Sequence, residues 1–500
     1  MLFLGNLFSV ISRASSLVIN SSSIFFDDGV KNPQQRFLDR RKKLGSLCKD
    51  VIVLFASETQ FNEIQPWAYA DHPICQEPLF LFLTGINQRN AILIIDSRNN
   101  SYEETLFLPK KDPKKEFWDG LQFGSGNNES VETAKQVTGV QNIDATSIFM
   151  DTLCQKLNQS NSQQSLSLYW HESVSNKPIK DELYIQKTRL LSRLKRKKIN
   201  PNTTNIQYIQ WDLRLPLDDV DKQHLRNANQ MLTTAFITLI KEMPTLEKEN
   251  HIHGVLQGEL IKQTPYGNAF PSIIANGKNA ATLHYTANNS RLDKNAMVLL
   301  DFGVCNFSMH SDISRTIPVN GRYTPLQRLL YSIVLSTQYY VESLVRPGIT
   351  IQTLNSKCWA FLEEQLDSLF LKKGGKMKRY YDIQPHFVSH LLGRQTHDGD
   401  PFRDYKTRPL QVGWAISNEP GLYGAFEISI DGVHYEEVIG IRIEDDLIVR
   451  DDGCENLTGC PKEILDIEKL YSISLVSSKN KKVSPQNRHK KTRRRRVFDC

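Results

Sequence analysis

Residues 297–318 read MVLLDFGVCNFSMHSDISRTIP, and this segment carries the most informative pattern in the chain. Its first four residues are apolar and predict a buried strand that runs into Asp301, after which Phe302-Gly303 supplies a place to turn. Asp312 follows eleven residues after Asp301. If the segment forms a hairpin, the two carboxylates face each other from adjacent strands. Because a buried carboxylate is costly unless it is paired or metal-bound, two facing carboxylates need a cation between them.

Three histidines are concentrated in PHFVSHLLGRQTHD, residues 385–398, although the whole chain has only 12. His386 and His390 are four residues apart, which predicts that they share one face of a helical turn or loop, and His397 follows. A single histidine beside apolar residues is more often a core residue than a ligand. The clustering of three is what favours a functional site.

Two further acidic residues occupy comparable positions. Glu419 lies in AISNEPGLY, where Pro420-Gly421 predicts a turn directly after an apolar strand. Glu444 lies in VIGIRIEDDLIV, a predicted strand on which Arg442 and Glu444 share one face. Taken alone, an acid at a strand end is more often a turn residue, and Glu444 could simply pair with Arg442 on the strand surface. Four carboxylates and one histidine together predict an oxygen-rich site for two divalent metals such as manganese, cobalt or zinc.

Composition limits the class of protein. With 500 residues and 57.4 kDa, 40% of them hydrophobic and 23% charged, the chain is long enough for two or three domains. Its apolar runs are far shorter than the roughly 18 residues that cross a bilayer, so we expect no membrane partner. The eight cysteines form no CxxC pair, which favours reduced thiols and a cytoplasmic location. The Ser-rich N-terminus, which has no acidic residue before Asp27, nevertheless resembles a weak organellar transit segment.

The positive charge is confined to one end of the chain. The net charge is +7, but residues 479–500 contain ten Lys or Arg and one Asp, so the rest of the chain carries −2. A nucleic-acid-binding body is expected to be basic over a whole face. We therefore expect nucleic acid to bind, if at all, only through residues 479–496, and the simpler interpretation of this segment is a solvated end.

Patterning predicts the domain organisation. Three apolar runs of strand length, at residues 51–55, 79–83 and 91–95, predict a small sheet with flanking helices. Helical spacing predicts a long helix from Asp218-Asp219 and another from Thr324-Pro325 to Pro347-Gly348. The second half is therefore α+β. We predict an N-terminal extension at residues 1–29, an α/β domain at 30–210, a catalytic domain at 216–470 and a basic disordered tail at 471–500.

These segments closely resemble the pita-bread metallopeptidases, specifically Xaa-Pro aminopeptidase (aminopeptidase P), over residues 36–470. The resemblance implies an α+β pita-bread catalytic domain preceded by a smaller α/β N-terminal domain. It also implies peptide substrates with proline in the second position and a homo-oligomeric assembly. The most specific matching segments are LHYTANN (283–289), LLDFG (299–303), SDISRTIPVNGRYTPLQRLLY (311–331), HFVSHLLGRQTHD (386–398), NEPGLY (418–423) and GIRIEDDLIV (440–449).

Carried over residue by residue, the resemblance implies a dinuclear metal centre with Asp301, Asp312, His390, Glu419 and Glu444 as its ligands. Asp312 and Glu444 would bridge the metals, Asp301 would hold one of them, and His390 with Glu419 the other. A metal-bridging hydroxide would attack the bond before proline, and Glu419 would move the proton. The resemblance implies two divalent ions, with manganese first and cobalt or zinc as alternatives, and no other cofactor.

The same resemblance assigns supporting catalytic roles. His284, His386 and His397 match the histidines that bind the scissile carbonyl and the tetrahedral intermediate. Arg442 matches the arginine that orients a coordinating carboxylate. The chain departs from the family pattern at residues 417–421, where SNEPG replaces the usual TxEPG, and after His397, where HDGDPFRDY replaces HDV followed soon by a glycine. Both departures lie outside the ligand set and concern loop geometry and substrate preference.

Several alternatives share this pattern. Prolidase, an Xaa-Pro dipeptidase, has the same five ligands, but SHLLG around His390 favours the aminopeptidase. Methionine aminopeptidase lacks the N-terminal domain of about 200 residues. A creatinase-like hydrolase uses the fold without metal, and a catalytically inactive binding protein of the same fold would have lost part of the ligand set. The intact ligands argue against both.

Overall fold

The computed structural model describes residues 33–58, 76–159, 164–172, 177–399 and 404–481. The predicted extension at 1–29 and the part of the predicted tail from residue 482 onward lie outside the described residues. The helices are α1 (Pro33–Cys48), α2 (Pro78–Thr84), α3 (Pro113–Asp119), α4 (Asn128–Thr138), α5 (Phe149–Asn158), α6 (Glu182–Arg196), α7 (Gln207–Arg214), α8 (Asp219–Glu242), α9 (Glu249–Gln263), α10 (Pro325–Leu344), α11 (Ile351–Lys373) and α12 (Ile464–Lys481). The strands are β1 (Val51–Phe55), β2 (Ile92–Asp96), β3 (Glu103–Leu108), β4 (Ile143–Ala145), β5 (Ser165–Leu168), β6 (Asn202–Asn205), β7 (Ile273–Asn276), β8 (Met297–Phe302), β9 (Cys305–Asn306), β10 (Met309–His310), β11 (Ile313–Pro318), β12 (Lys376–Arg379), β13 (Leu391–Leu392), β14 (Ala415–Asn418), β15 (Gly421–Ile430), β16 (Val433–Arg442), β17 (Asp445–Arg450) and β18 (Gly453–Asn456).

The N-terminal half is a mixed six-stranded sheet with helices around it. Its strand order is β4-β3-β2-β1-β5-β6, with β1, β2 and β3 antiparallel and β4, β5 and β6 added in parallel. β1 and β2 are almost completely buried, as expected for the central strands of a covered sheet. Two of the three predicted strands, at residues 51–55 and 91–95, are confirmed.

The third predicted strand is wrong, because residues 79–83 lie in helix α2. Pro78 occupies the first turn of the helix, and the Glu77 carboxylate caps it by accepting hydrogen bonds from the amides of Leu79 and Phe80 at 2.9 and 2.6 Å. Gly85 ends the helix in the left-handed conformation. Five consecutive apolar residues have no period, so the caps at either end decide between strand and helix.

The C-terminal half combines antiparallel sheets with long helices. The sheets have the orders β11-β8-β7, β12-β15-β16 and β13-β14-β17-β18, and β9 with β10 forms a short separate hairpin. Helices α8 to α12 share one hydrophobic core with these strands. The α+β class predicted for this half is confirmed.

Two helix starts are predicted correctly from their caps. Asp218 caps α8, accepting from the amide of Asp221 at 3.0 Å, and Thr324 forms a capping box with Gln327 at the start of α10. Helix α10 ends at Leu344, three residues before the predicted stop at Pro347, because Val345 already has an extended backbone.

The end of the described chain is helical rather than irregular. Helix α12 continues to Lys481, past the predicted start of a disordered tail at residue 471, and Tyr471 is buried against Gly321. Within the described residues no helix is long and apolar enough to cross a membrane.

Two hydrophobic cores divide the chain. One extends from Phe37 to Leu213 and the other from Trp211 to Tyr471. Both cores therefore reach α7, which contributes Leu213 to the first and Trp211 to the second. This is where the sequence predicts the two domains to meet.

We predict that Leu239→Ala destabilises the catalytic half. Leu239 on α8 is fully buried in the second core, so its truncation leaves a cavity and lowers the free energy of unfolding by about 2–5 kcal/mol. Urea unfolding followed by tryptophan fluorescence measures the loss. Gln230→Ala, at an exposed position of the same helix, is the control and should change stability by less than about 0.5 kcal/mol. Equal losses for the two variants would contradict the packing described here.

Candidate active site

Antiparallel pairing of β8 with β11 brings Asp301 and Asp312 together. Phe302 pairs with Ile313, so Asp301 lies opposite Ser314 and Asp312 lies one residue beyond the paired strand. The β9–β10 hairpin occupies the intervening chain. Both carboxylates are buried, as the sequence pattern predicts for two acids on adjacent strands.

Glu444 lies beside these acids, but not on a continuous strand. β16 ends at Arg442 and β17 begins at Asp445, so the prediction of one strand carrying both Arg442 and Glu444 is wrong at this point. The break allows the Glu444 amide to donate to the carbonyl of Ser314 at 3.0 Å. The Ser314 hydroxyl then donates to Glu444 Oε2 at 2.8 Å, which fixes the carboxylate against β11.

His390 and Glu419 approach from the opposite side on paired segments. His390 directly precedes β13, and its amide donates to Ser417 Oγ at 2.9 Å. The Glu419 amide donates to the carbonyl of Val388 at 2.9 Å, and Ser417 Oγ donates to Glu419 Oε1 at 3.2 Å. The spacing of His386 and His390 is thus realised in an extended loop rather than a helical turn.

Ligand-type atoms from three of these residues converge. One atom each of Asp312, His390 and Glu444 lie within 4.8 Å of one another. His390 Nε2 is 3.5 Å from Asp312 Oδ2, 3.5 Å from Glu419 Oε1 and 3.8 Å from Glu444 Oε1. These separations exceed strong hydrogen bonds. They suit ligands that share a cation at about 2.1 Å from each.

The carboxylates repel one another strongly. Burial raises the pKa of Asp312 well above its usual range, and the neighbouring Glu444 and Asp301 add to the shift. Burial likewise raises the pKa of Glu444, with Glu419 and Asp301 contributing. Such a group of acids needs compensating positive charge to stay ionised.

Unpaired oxygen atoms show that the donor set fits metal ions. Among the described residues, Asp301 Oδ1, Asp312 Oδ1 and Glu444 Oε1 are buried without a hydrogen-bond partner. Buried polar atoms are rarely left unsatisfied in proteins. Carboxylate and imidazole donors suit divalent ions such as manganese, cobalt and zinc, so the residues present fit the group that the sequence implies.

Arg442 holds Asp301 in place. Its guanidinium donates to Asp301 Oδ2 at 2.6 Å, to Ser314 Oγ at 2.9 Å and to the Tyr423 hydroxyl at 2.9 Å. Burial opposes the charge, but Tyr423 and Asp301 keep the pKa of Arg442 well above its ordinary value. This permanent cation leaves one oxygen of Asp301 for another partner.

His386 is held neutral. Its Nδ1 donates to the carbonyl of Phe387 at 2.9 Å, and its Nε2 accepts from the Tyr423 hydroxyl at 3.1 Å. Burial, helped by Arg442, lowers the pKa of His386 to about 3. Tyr423 thus links the arginine to the imidazole in one chain of hydrogen bonds.

All nine predicted site residues line one cavity of about 700 Å³. His284 and His397 are exposed in it, and the His397 ring lies 4.3 Å from the His390 ring, edge to face. One part of the wall is apolar and includes Phe270, Pro271 and Phe387. A cavity of this size, with convergent polar groups and apolar walls, is typical of a ligand site.

Three functional positions were not predicted from the sequence. Tyr423 lies in NEPGLY and Ser314 in SDISRT, both within the quoted motifs, and Ser417 is one of the departures from the family pattern. Ser314 contacts Glu444 and Arg442 across 130 and 128 residues of chain. A motif shows that such a residue belongs to the segment, but not what its hydroxyl touches.

Comparison with known proteins agrees with this architecture. Residues 37–166 match the aminopeptidase P N-terminal domain, and residues 223–451 match metallopeptidase family M24. Xaa-Pro aminopeptidase 3 of Rattus norvegicus is 30% identical over 405 residues, covering 79% of this chain and 76% of its own length. The Xaa-Pro aminopeptidase of Escherichia coli is 27% identical over 446 residues, covering 86% and 97%.

The fold comparison gives the same result. Aminopeptidase P from E. coli, solved with the inhibitor Pro-Leu, superposes with a TM-score of 0.73 at 26% identity and covers 89% of this chain and 99% of that one. Both the N-terminal sheet and the catalytic half are therefore shared. The chain belongs to the Xaa-Pro aminopeptidase family of M24 metallopeptidases, and it is therefore a metallo-aminopeptidase, for which the family implies divalent metal ions.

Proposed function

We propose that the protein is an Xaa-Pro aminopeptidase that hydrolyses the bond between the N-terminal residue of a peptide and a proline in the second position. The observation that carries this proposal is the convergence of Asp312, His390 and Glu444 in the cavity, beside Asp301 and Glu419. The similarity to aminopeptidase P along nearly the whole chain supports the same function.

We propose that Asp301, Asp312, His390, Glu419 and Glu444 hold two divalent ions, with Asp312 and Glu444 shared between them. The three buried oxygens that lack hydrogen-bond partners among the described residues belong to Asp301, Asp312 and Glu444. When bound, the ions would lower the pKa of a water so that it attacks as hydroxide, and would polarise the scissile carbonyl. Manganese is the proposed metal.

Glu419 is the proposed proton carrier. Ser417 and His390 orient its carboxylate on one side, and His386 Nδ1 lies 3.5 Å from Oε2 on the other. Glu419 would take the proton of the attacking water and deliver it to the proline nitrogen as the bond breaks. That nitrogen bears no hydrogen in the substrate, so it must gain a proton in order to leave.

The histidines supply the electrostatic part of the reaction. His284, His386 and His397 line the cavity around the acids, and His284 and His397 would donate hydrogen bonds to the scissile carbonyl and to the negative charge that develops on it. The ring nitrogens of His386 are engaged with the Phe387 carbonyl and the Tyr423 hydroxyl, so His386 would support the reaction from beside Glu419. Arg442 would keep Asp301 oriented throughout.

The apolar wall explains a preference for proline. Phe270, Pro271, Leu283 and Phe387 line the cavity beside the acids. A pyrrolidine ring has no N–H to satisfy, so this surface would bind it by burial alone. These residues are the proposed proline pocket.

Further proposals concern organisation. We propose a boundary between an N-terminal domain of residues 30–210 and a catalytic domain of residues 216–470, because the two cores meet at α7. We propose a homo-oligomer, as the family resemblance implies, which light scattering would test. We also propose a cytoplasmic location, favoured by the free cysteines of the described residues, which fractionation would test against an organellar one.

We predict metal-dependent release of the N-terminal residue from Xaa-Pro-Xaa tripeptides. Protein stripped with a chelator should be inactive, and adding manganese, cobalt or zinc should restore cleavage, measured by chromatography of the products. Hydrolysis of Xaa-Pro dipeptides is measured in the same assay for comparison. Preference for the dipeptide would make the protein a prolidase, and no cleavage of either peptide with metals bound would leave a binding role.

We predict that Glu419→Gln lowers kcat by about 100-fold or more, because the amide cannot carry the proton. Steady-state hydrolysis of the tripeptide measures the loss. Glu436→Gln, at an exposed position outside the cavity, is the matched control and should retain full activity. Activity of Glu419→Gln near the wild-type level would remove Glu419 from the mechanism.

We predict that Glu444→Gln reduces the number of bound metals. The wild-type protein should bind two manganese ions per chain, and the variant fewer, since an amide oxygen is a weaker ligand than a shared carboxylate. Equilibrium dialysis with elemental analysis gives the number. Metal binding should raise the melting midpoint of the wild type more than that of the variant. Two ions in both proteins would exclude Glu444 as a bridge.

A further inference from the structure

The segment that carries His390 and His397 is a tight hairpin. Leu391 and Asp398 pair as an isolated bridge, with the Asp398 amide donating to the Leu391 carbonyl at 2.9 Å. His390 immediately precedes this bridge and His397 lies within the loop that it closes. The position of both imidazoles in the cavity therefore depends on how the hairpin is held.

Asp398 is the centre of the hairpin. Its buried carboxylate accepts from the amides of Arg394 at 2.9 Å and Gly399 at 2.7 Å. Gly393 allows this arrangement, because a Cβ there would lie 2.2 Å from Asp398 Oδ2. The carboxylate thus fills the inside of the turn and joins its two ends.

The charge of Asp398 is balanced from helix α7, where the two hydrophobic cores meet. Arg214, the last residue of α7, contacts Asp398 through Nη1 at 2.8 Å and Nη2 at 2.7 Å, so the pair is bidentate. Each side chain is only 3% exposed. Gln210 holds the guanidinium by accepting from its Nε at 3.1 Å. A fully buried bidentate pair of this kind fixes both distance and orientation.

A second contact anchors the same hairpin. Arg394 donates to Asp221 Oδ1 at 2.8 Å, and Asp221 also accepts from Arg36 and Arg40 of α1 at 2.6 and 2.9 Å. Asp221 lies in the first turn of α8. The hairpin is therefore tied to α1, which belongs to the N-terminal half, and to α7, where the two hydrophobic cores meet.

Not every buried ion pair is placed in this way. Arg41 pairs with Glu104 through Nε and Nη2 at 2.7 and 2.9 Å, and Arg41 is fully buried. Arg41 also donates to the carbonyls of Leu83 and Thr138, and these partners lie within the N-terminal half. Loss of this pair should lower the free energy of unfolding without removing a contact of the hairpin.

We infer that Arg214 and Asp398 are positioning residues for the reaction, through which helix α7, at the junction of the two hydrophobic cores, holds the hairpin that carries His390 and His397. The inference rests on the proposed function, because it takes His390 as a metal ligand and His397 as a group that contacts the substrate. Loosening the pair would displace both imidazoles together. Partners that orient metal ligands commonly contribute about 10- to 100-fold to metal affinity or activity.

The test compares Arg214→Met with Arg41→Met in the full-length protein. Both variants remove a buried guanidinium and should lower the melting midpoint. Only Arg214→Met should weaken manganese binding, measured by competition with a chromogenic chelator, and lower kcat on the tripeptide, each by about 10-fold or more. Arg214→Lys should recover part of the loss, because it restores the charge without the bidentate fork.

Asp398→Asn is a second variant, which removes the negative charge but keeps the shape of the side chain. If Arg214→Met does not fold, Asp398→Asn should show the same loss of metal affinity and kcat, and the double variant should lose no more than the worse single variant. Unchanged metal affinity and kcat in the folded variants would overturn the inference. If the wild type cleaves neither peptide, the proposed function fails, while the metal affinities still decide whether the pair positions His390.

Discussion

The mutual repulsion of four carboxylates in one buried cleft is the interaction on which the catalytic half of this protein depends. Asp301, Asp312, Glu419 and Glu444 lie in a single cavity, and burial with mutual repulsion raises the pKa of Asp312 and Glu444. Only a rigid scaffold can keep such groups together, since each would otherwise turn towards water. The proposed metal ions would supply the missing positive charge, and the surrounding structure holds the four acidic side chains in place.

Buried side chains outside the cavity hold the backbone segments that carry the acids. Arg315 is fully buried on β11 and donates to Asp445 Oδ1 at 2.7 Å and to the carbonyls of Glu444 and Cys460 at 2.6 and 2.7 Å. Asp446 accepts from the amide of Asp312 and from Asn229. The backbones that carry Asp312 and Glu444 are therefore fixed by buried polar side chains that do not line the cavity. Such buried pairs contribute more to a unique geometry than to stability.

Buried ion pairs also join the N-terminal half to the catalytic half. Asp218 caps α8 and also binds Arg36 and Arg40, so one carboxylate starts a helix and joins the two halves. The two roles are compatible because a carboxylate at a helix N-terminus can accept hydrogen bonds from backbone amides and from guanidinium groups at the same time. The junction between the halves is thus held by contacts to which both contribute.

The sequence by itself determined the fold class, the helix starts at Asp218 and Thr324, and the nine residues that line the cavity. Acids that end apolar strands, clustered histidines and helix caps are local signals, whereas His284 and the pita-bread fold followed from the resemblance of whole motifs to a known family. Tertiary structure decided the rest. It made residues 79–83 a helix, broke the strand at Glu444, and gave Tyr423, Ser314 and the pair of Arg214 with Asp398 their partners. Those partners lie 19 to 184 residues apart along the chain, and most meet only when distant elements pack, so a local pattern could not reveal which groups touch.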